Sequence, residues 1–200
     1  ATNTRNNMAN IITDLIGGIA NLWTKEPTNI KEFIMQTDNL KNEDLLDEFT
    51  QQTKMIESSG GEFLINPNSS ARGDFQFLTT DHLTDDGEQR FNEKTGDPLI
   101  SSYQVGLNRL AAIYADMGEV PQWVSQAKEN DNPLDLTDKQ QEELFLANLW
   151  KQKGTSDLFK RIDEGDGLAK YDLYANYHHT KPDQATIDVA LSEFNLGGKE

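Results

Sequence analysis

Apolar residues recur at steps of three and four along most of this 200-residue chain, and this spacing restricts its fold more than any other feature. The segment 42–57 is typical, with Leu45, Leu46, Phe49 and Ile56 as its main apolar positions. Further helices are predicted over about 6–23, 27–36, 99–117, 121–127, 137–150, 165–178 and 182–194. Since the chain has no internal repeat and no low-complexity linker, we expect a mainly α structure around one core.

The helical spacing is interrupted after Gly60 and Gly61, a pair that ends helices readily. Residues 62–65 and 75–78 are short enough for strands or extended pieces, and they predict a small β or extended flap within 61–78. The polar segment 81–96 is expected to be a surface loop with a short helix. We divide the chain into N-terminal helices at 1–40, which pack on the core or dock a partner, and a main domain at 41–200.

Charge and composition exclude several classes of function. The net charge is −16 and the pI is about 4.5, so charge-driven binding to nucleic acid or to an anionic membrane is disfavoured. The same charge opposes binding to an anionic cell wall, unless a saline medium with a Debye length of about 3–8 Å screens the repulsion. The chain has no cysteine, which excludes Cys-based metal sites and nucleophiles, and its three histidines give a site of His and carboxylates a thin base. We predict no metal and no cofactor. It has no apolar run long enough for a membrane span, and residues 1–23 lack the pattern of a cleavable signal peptide.

Glu57 is the candidate for acid chemistry. It follows Met55 and Ile56 at the end of a predicted helix and precedes small residues that leave room for a sugar. Cleavage of a glycosidic bond needs a proton donor at the bridging oxygen, and a carboxylic acid serves when an apolar setting favours its protonated form. An isolated Glu at a helix end is more often an ordinary solvated residue. The assignment of Glu57 as a catalytic acid therefore depends on the residues around it.

These neighbours resemble the soluble lytic transglycosylase signature of the lysozyme-like superfamily. The residues that carry the resemblance are Glu57-Ser58-Ser59-Gly60, Asn66-Pro67 and Ser69-Ser70-Ala71-Arg72-Gly73-Asp74-Phe75-Gln76-Phe77. Blocks within 134–137, 154–157 and 173–186 are similar to lysozyme-like domains of tailed bacteriophages. Together the resemblances cover about 50–196. They imply a lysozyme-like helical domain, of the lytic transglycosylase or goose-type lysozyme kind, with a small flap.

The resemblance implies roles for several residues. Glu57 would be the sole catalytic acid and base, Gln76 would line the sugar cleft, and a tyrosine on a later helix, best matched by Tyr177, would support the acid. Further candidates for substrate contact are Ser58, Asp74, Phe75 and His178.

Three positions keep alternative interpretations. Asp74 stands where the family usually has Leu, so it is either a second carboxylate for water activation or a residue that points to solvent. His178 either lines the cleft or serves the C-terminus of its helix. The row Tyr171, Tyr174 and Tyr177 is either core or a sugar platform, and the tryptophans Trp23, Trp123 and Trp150 are predicted to be core.

The function that the resemblance implies is cleavage of the β-1,4 bond between N-acetylmuramic acid and N-acetylglucosamine in peptidoglycan. A lytic transglycosylase would leave a 1,6-anhydro product, whereas a hydrolytic lysozyme or endolysin would leave a reducing end. The expected location is a phage virion, with action on the host periplasm and cell wall during genome delivery and with other virion proteins as further partners. The rival interpretation is a virion protein that keeps the fold without turnover and docks through residues 6–23.

Overall fold

The structure, a computed structural model, describes residues 26–66, 69–152, 154–177 and 184–195, and it is mainly helical. In these ranges the helices are α1 (Ile30–Thr37), α2 (Glu43–Ser58), α3 (Ser102–Asp116), α4 (Gln122–Asn130), α5 (Asp138–Trp150), α6 (Thr155–Asp163), α7 (Gly167–Tyr177) and α8 (Gln184–Glu193). The prediction of a mainly α fold is therefore confirmed. The predicted helix at 6–23, with Trp23, lies outside the described residues. No helix in the described ranges has the length and apolar character needed to cross a membrane.

Helix boundaries follow local capping chemistry. Helix α5 starts with a complete capping box, in which Thr137 and Gln140 exchange side-chain to backbone hydrogen bonds. Helix α2 ends because Ser59 adopts a left-handed conformation (φ 52°). Gly60 and Gly61, which follow, also have positive φ. Helix α5 stops at Trp150, and Gly154 precedes α6 with a φ of 88°.

Helix α5 is the centre of the core. Its residues from Glu143 to Leu149 are all buried, because α1, α3, α6 and α7 all pack against this helix. Ile30 and Ile34 of α1 are fully buried in the same cluster, so residues 30–37 share the core of the main domain. Trp123 and Trp150 pack on this cluster and remain partly exposed.

The flap, which we define as residues 71–78, is an antiparallel pair of short strands. Strand β1 (Ala71–Arg72) pairs with β2 (Phe77–Leu78) across the turn 73–76. Residues 63–66 lie along β1 as a further extended piece. The prediction of extended chain at 62–65 and 75–78 is confirmed in part, since Ile65 forms only an isolated bridge with Arg72. Strand β1 was not predicted because two residues are too few to show a periodicity.

The short helix expected within 81–96 is absent from this described segment. Residues 79–101 form turns and two isolated antiparallel bridges, Leu83 with Gln89 and Phe91 with Pro98. Gly87 and Gly96 occupy turns with φ of 80° and 75°, and residues 84–98 are all exposed. A helix needs a buried apolar face for most of its stability, and this polar segment has none to offer.

Candidate functional site

Glu57 occupies the last turn of α2, where its side chain is half-buried. Its Oε1 accepts a hydrogen bond of 2.8 Å from the hydroxyl of Tyr174 on α7. Tyr174 is fully buried, and this burial, followed by the charge of Glu57, raises the pKa of its hydroxyl. Because Tyr174 keeps its proton at neutral pH, it acts as a fixed donor that orients the carboxyl group.

Tyr177 lies one turn after Tyr174 on the same helix and faces the flap. Its hydroxyl donates to the backbone carbonyl of Phe75 at 2.6 Å. Burial, followed by the charge of Glu57, raises the pKa of Tyr177, so the carboxylate also lies within electrostatic reach of this second hydroxyl. Residues three apart are neighbours on a helix surface, and this one face of α7 therefore holds Glu57 and the flap side by side.

Sequence reasoning assigned the support of Glu57 to Tyr177 and missed Tyr174. The predicted helix 165–178 carries Tyr171, Tyr174 and Tyr177, whose spacing of three places them on neighbouring turns of one helix face. The sugar-platform interpretation of this row does not fit Tyr174, which is buried, and the Tyr177 ring packs edge-on against Phe145 at 5.1 Å. The row belongs mainly to the core.

Gln76, predicted to line the cleft, lies in the flap turn and is half-buried. Its Nε2 donates to the carbonyls of Phe63 at 3.0 Å and Gly73 at 2.9 Å. Gln76 itself has a left-handed backbone (φ 49°), a conformation that costs a non-glycine residue free energy and that these hydrogen bonds help to hold. The side chain therefore braces the flap turn against the segment that follows Glu57.

The expectation that Asp74 points to solvent is wrong, and its alternative role as a second carboxylate for water activation stays a prediction. Asp74 is only 2% exposed, and its Oδ2 forms an ion pair of 2.6 Å with Nζ of Lys54 on α2. Lys54 also contacts Asp138 at 3.1 Å. Burial lowers the pKa of Lys54, but the hydrogen bonds and charges of Asp74 and Asp138 outweigh burial and raise it. The turn directs Asp74 inward, where Lys54 neutralises it.

Ser58 and Phe75 were predicted to contact substrate, and their side chains are instead buried. The Ser58 hydroxyl donates to the carbonyl of Lys54 at 3.1 Å and accepts from the Gly61 amide at 3.0 Å, so it stabilises the end of α2. The Phe75 ring stacks on Phe145 at 4.3 Å. Ser58 therefore stabilises the helix end that carries Glu57, and Phe75 fixes the flap on the core. His178 lies outside the described residues.

Gln141 is a positioning residue that sequence reasoning missed. From α5, its Oε1 accepts a 2.7 Å hydrogen bond from the Asp74 amide. Gly73 passes so close that a Cβ there would lie 2.3 Å from this oxygen, and its φ is 79°, so only glycine fits. The sequence signal that could have identified Gln141 is a glutamine at a buried position of the helix. The flap is thus anchored by α2, α5 and α7 through Lys54, Gln141 and Tyr177.

The arrangement brings one half-buried carboxyl group, one tyrosine donor and a braced flap together at the end of α2. A positioned carboxyl group of this kind can give and take a proton at a bound substrate. In the part of the chain that the structure describes, no three His, Asp or Glu side chains are grouped to hold a metal ion. No protein-family model, curated protein or solved structure matches this chain.

Proposed function

We propose that this protein cleaves the glycan strands of peptidoglycan at the β-1,4 bond between N-acetylmuramic acid and N-acetylglucosamine, with Glu57 as its acid and base. The observation that carries the proposal is the hydroxyl pair on α7, which ties Glu57 and the Phe75 carbonyl of the flap to one helix face. A carboxyl group fixed beside a flap can protonate the bridging oxygen of a glycan strand bound there.

Lytic transglycosylase chemistry fits the site better than hydrolysis does. Glu57 would protonate the bridging oxygen as the bond from this oxygen to C1 breaks. The 6-hydroxyl oxygen of the muramoyl residue would then bond to C1 and lose its proton to Glu57, which returns the carboxyl group to its starting state. Use of Asp74 to activate water would require breaking its buried ion pair with Lys54, and losing such a pair costs about 3–5 kcal/mol.

The proposal extends to the fold and the setting that the sequence resemblance implies. The helices and flap would form a lysozyme-like domain, and the phage-like blocks within 134–186 would place the enzyme in a virion that opens the host wall locally. The observed mainly α architecture with one small flap supports this assignment at the level of fold class.

The deciding experiment uses the full chain with purified sacculi and mass spectrometry of the released muropeptides. We expect 1,6-anhydro ends from the unaltered protein and a loss of release, by about 100- to 10,000-fold, from Glu57→Gln. Glu62→Gln is the matched control, because Glu62 is an exposed carboxylate just beyond the same helix end.

The possible outcomes separate the alternatives. Reducing ends would replace the transglycosylase with a lysozyme, and equal activity of Glu57→Gln and the unaltered protein would remove Glu57 from the chemistry. A folded protein that releases nothing would favour the structural virion role.

A further inference from the structure

Residues 63–65, which we name the 63–65 ridge, present apolar side chains to solvent beside the candidate site. Phe63 is 64% exposed, Leu64 36% and Ile65 55%. Single exposed apolar residues are common on protein surfaces, whereas consecutive ones that the fold holds in place mark a binding surface.

The backbone of the ridge is hydrogen-bonded on both sides to elements of the site. The Phe63 amide donates to the carbonyl of Ser58, the residue after Glu57, at 3.0 Å. The Phe63 carbonyl accepts from Nε2 of Gln76 at 3.0 Å. Phe63 therefore bridges the end of the helix that carries Glu57 and the turn of the flap.

The remaining ridge backbone follows strand β1. The Gly73 amide donates to the Leu64 carbonyl at 2.8 Å, and Ile65 bridges to Arg72. Side chains alternate along an extended segment, and this alternation predicts that Phe63 and Ile65 project to the same side and Leu64 to the other. A rigid pair of apolar side chains loses little conformational freedom when a ligand binds, which favours affinity.

We propose that Phe63 and Ile65 form a platform for the apolar face of a sugar ring in the glycan strand, adjacent to the bond that Glu57 cleaves. This inference rests on the proposed function. Aromatic side chains supply large apolar contact areas, and a pyranose ring with its N-acetyl methyl group offers a matching surface. The neighbouring backbone bonds to Ser58 and Gln76 place this platform at the rim of the same site.

Position favours a glycan over a lipid surface as the occupant, because Phe63 is hydrogen-bonded to Ser58 and Gln76 at the candidate site. The net charge of −16 opposes an anionic bilayer and an anionic cell wall alike, but the ridge itself carries no charge. The sugar rings of a glycan backbone are uncharged where they would meet Phe63 and Ile65, so apolar contact brings no electrostatic cost there.

The test measures glycan binding apart from cleavage. The Glu57→Gln protein is titrated with a soluble hexamer of N-acetylglucosamine, alone and combined with Phe63→Ala, Phe63→Trp or Phe91→Ala. We expect Phe63→Ala to weaken binding about tenfold, Phe63→Trp to retain it and Phe91→Ala to leave it unchanged. Phe91 is the matched control because it is a phenylalanine with 57% exposure on the separate 79–101 segment.

A second measurement follows turnover of sacculi by the otherwise unaltered chain. Phe63→Ala should raise KM about tenfold and leave kcat within about twofold, since the platform binds ground state and transition state alike. If the unaltered chain cleaves sacculi and Phe63→Ala matches Phe91→Ala in both measurements, the platform is refuted and the proposed function stands.

Two further outcomes decide the remaining cases. If sacculi are never cleaved while Phe63→Ala still weakens hexamer binding selectively, the proposed function fails and the platform stands as a glycan-binding surface. If Phe63→Ala instead reduces binding to vesicles of phosphatidylethanolamine and phosphatidylglycerol and leaves hexamer binding unchanged, the ridge is a membrane contact and the inference is overturned.

Discussion

Among the residues that the structure describes, Tyr174 with Glu57 and Tyr114 with Glu143 form tyrosine–glutamate hydrogen bonds in different settings. Tyr174 donates to Glu57 at 2.8 Å at the end of α2, and Tyr114 of α3 donates to Glu143 of α5 at 2.5 Å. Glu57 is half-buried beside the flap, whereas Glu143 is buried in the middle of the central helix. The same two functional groups therefore meet once at a helix end and once inside a helix layer.

The surroundings of Glu143 differ in charge as well as in access. Glu143 lines a cavity of about 410 Å³ together with Lys31, Asp47, Asp138 and Lys139. Burial raises the pKa of Glu143, while the Tyr114 hydrogen bond and the charge of Lys139 oppose this rise. Lys31 already bridges Glu43 and Asp47 at the cavity wall.

The comparison of Glu57 with Glu143 indicates that a tyrosine donor beside a carboxyl group does not by itself make an active site. What distinguishes Glu57 is the braced flap and the exposed 63–65 ridge next to it. Glu143 has a cavity but is held by a hydrogen bond between two packed helices, and we assign it to the core. The predictions below test this division.

The largest expected effect separates the two carboxyl groups by activity. Glu57→Gln should reduce muropeptide release by about 100- to 10,000-fold, because no proton donor remains at the bridging oxygen. Glu143→Gln should leave release within about twofold, since Glu143 is bonded to Tyr114 between two packed helices. Both variants are assayed at equal concentrations of folded protein, as determined by circular dichroism. Loss of activity in Glu143→Gln at full folding would contradict the division between the two pairs.

Loss of the ion pair between Lys54 and Asp74, which anchors the flap, is expected to have the next largest effect, a decrease in stability. Lys54→Met leaves Asp74 buried without its partner, and breaking a buried pair costs about 3–5 kcal/mol of unfolding free energy. The double variant Lys54→Met with Asp74→Asn removes both charges and should recover most of this loss. Urea denaturation of the three proteins measures the effect. If Lys54→Met is as stable as the unaltered chain, the ion pair does not hold the flap.

The two tyrosines give a smaller and more direct contrast. Tyr174→Phe should lower kcat about tenfold and change KM little, because Glu57 loses the hydroxyl that orients it. Tyr114→Phe should instead lower the unfolding free energy by about 1–3 kcal/mol, because the buried Glu143 carboxyl group loses its hydrogen-bond donor. Activity per folded molecule should not change in Tyr114→Phe. An equal loss of kcat in both variants would indicate a general packing effect.

The sequence predicted the described helices other than α6, because apolar residues at steps of three and four mark the faces that pack on the core. It also placed the flap close to its observed range, because the helical spacing is interrupted after Gly60 and Gly61. The end of α2 beside Glu57 was predictable for the same reason, since Gly60 and Gly61 follow it.

The partners of the site residues were not predictable from local pattern. Tyr174 and Glu57 are 117 positions apart, and Gln141 and Asp74 are 67 apart. Which side chains meet over such separations is decided by how the helices pack, and a pattern of apolar residues does not encode it. Asp74 was misplaced for this reason, because nothing near it in the sequence identifies Lys54 as its partner.

The smallest predicted effect is the pH dependence of stability that Glu143 contributes. Its pKa is raised above the ordinary value of 4.5 in the folded protein, so the folded state holds this proton more tightly than the unfolded chain does. The resulting stability is fully present below about pH 4.5 and is lost as the pH rises through the folded-state pKa. Glutamine at this position cannot titrate, but its carbonyl can still accept from Tyr114. Glu143→Gln should therefore gain stability relative to the unaltered chain as the pH rises from 4.5 to about 8.

The gain is measured as a difference in Tm across this pH range. About 1 kcal/mol corresponds to about 2–4 °C for a chain of this size, so a shift of a few degrees is expected. Glu129→Gln, on the exposed surface of α4, serves as the control and should show a pH-independent difference. If the Tm difference of Glu143→Gln stays constant or shrinks with rising pH, then Glu143 is not held as a buried acid. The contrast with Glu57 would then rest on the flap and the 63–65 ridge alone.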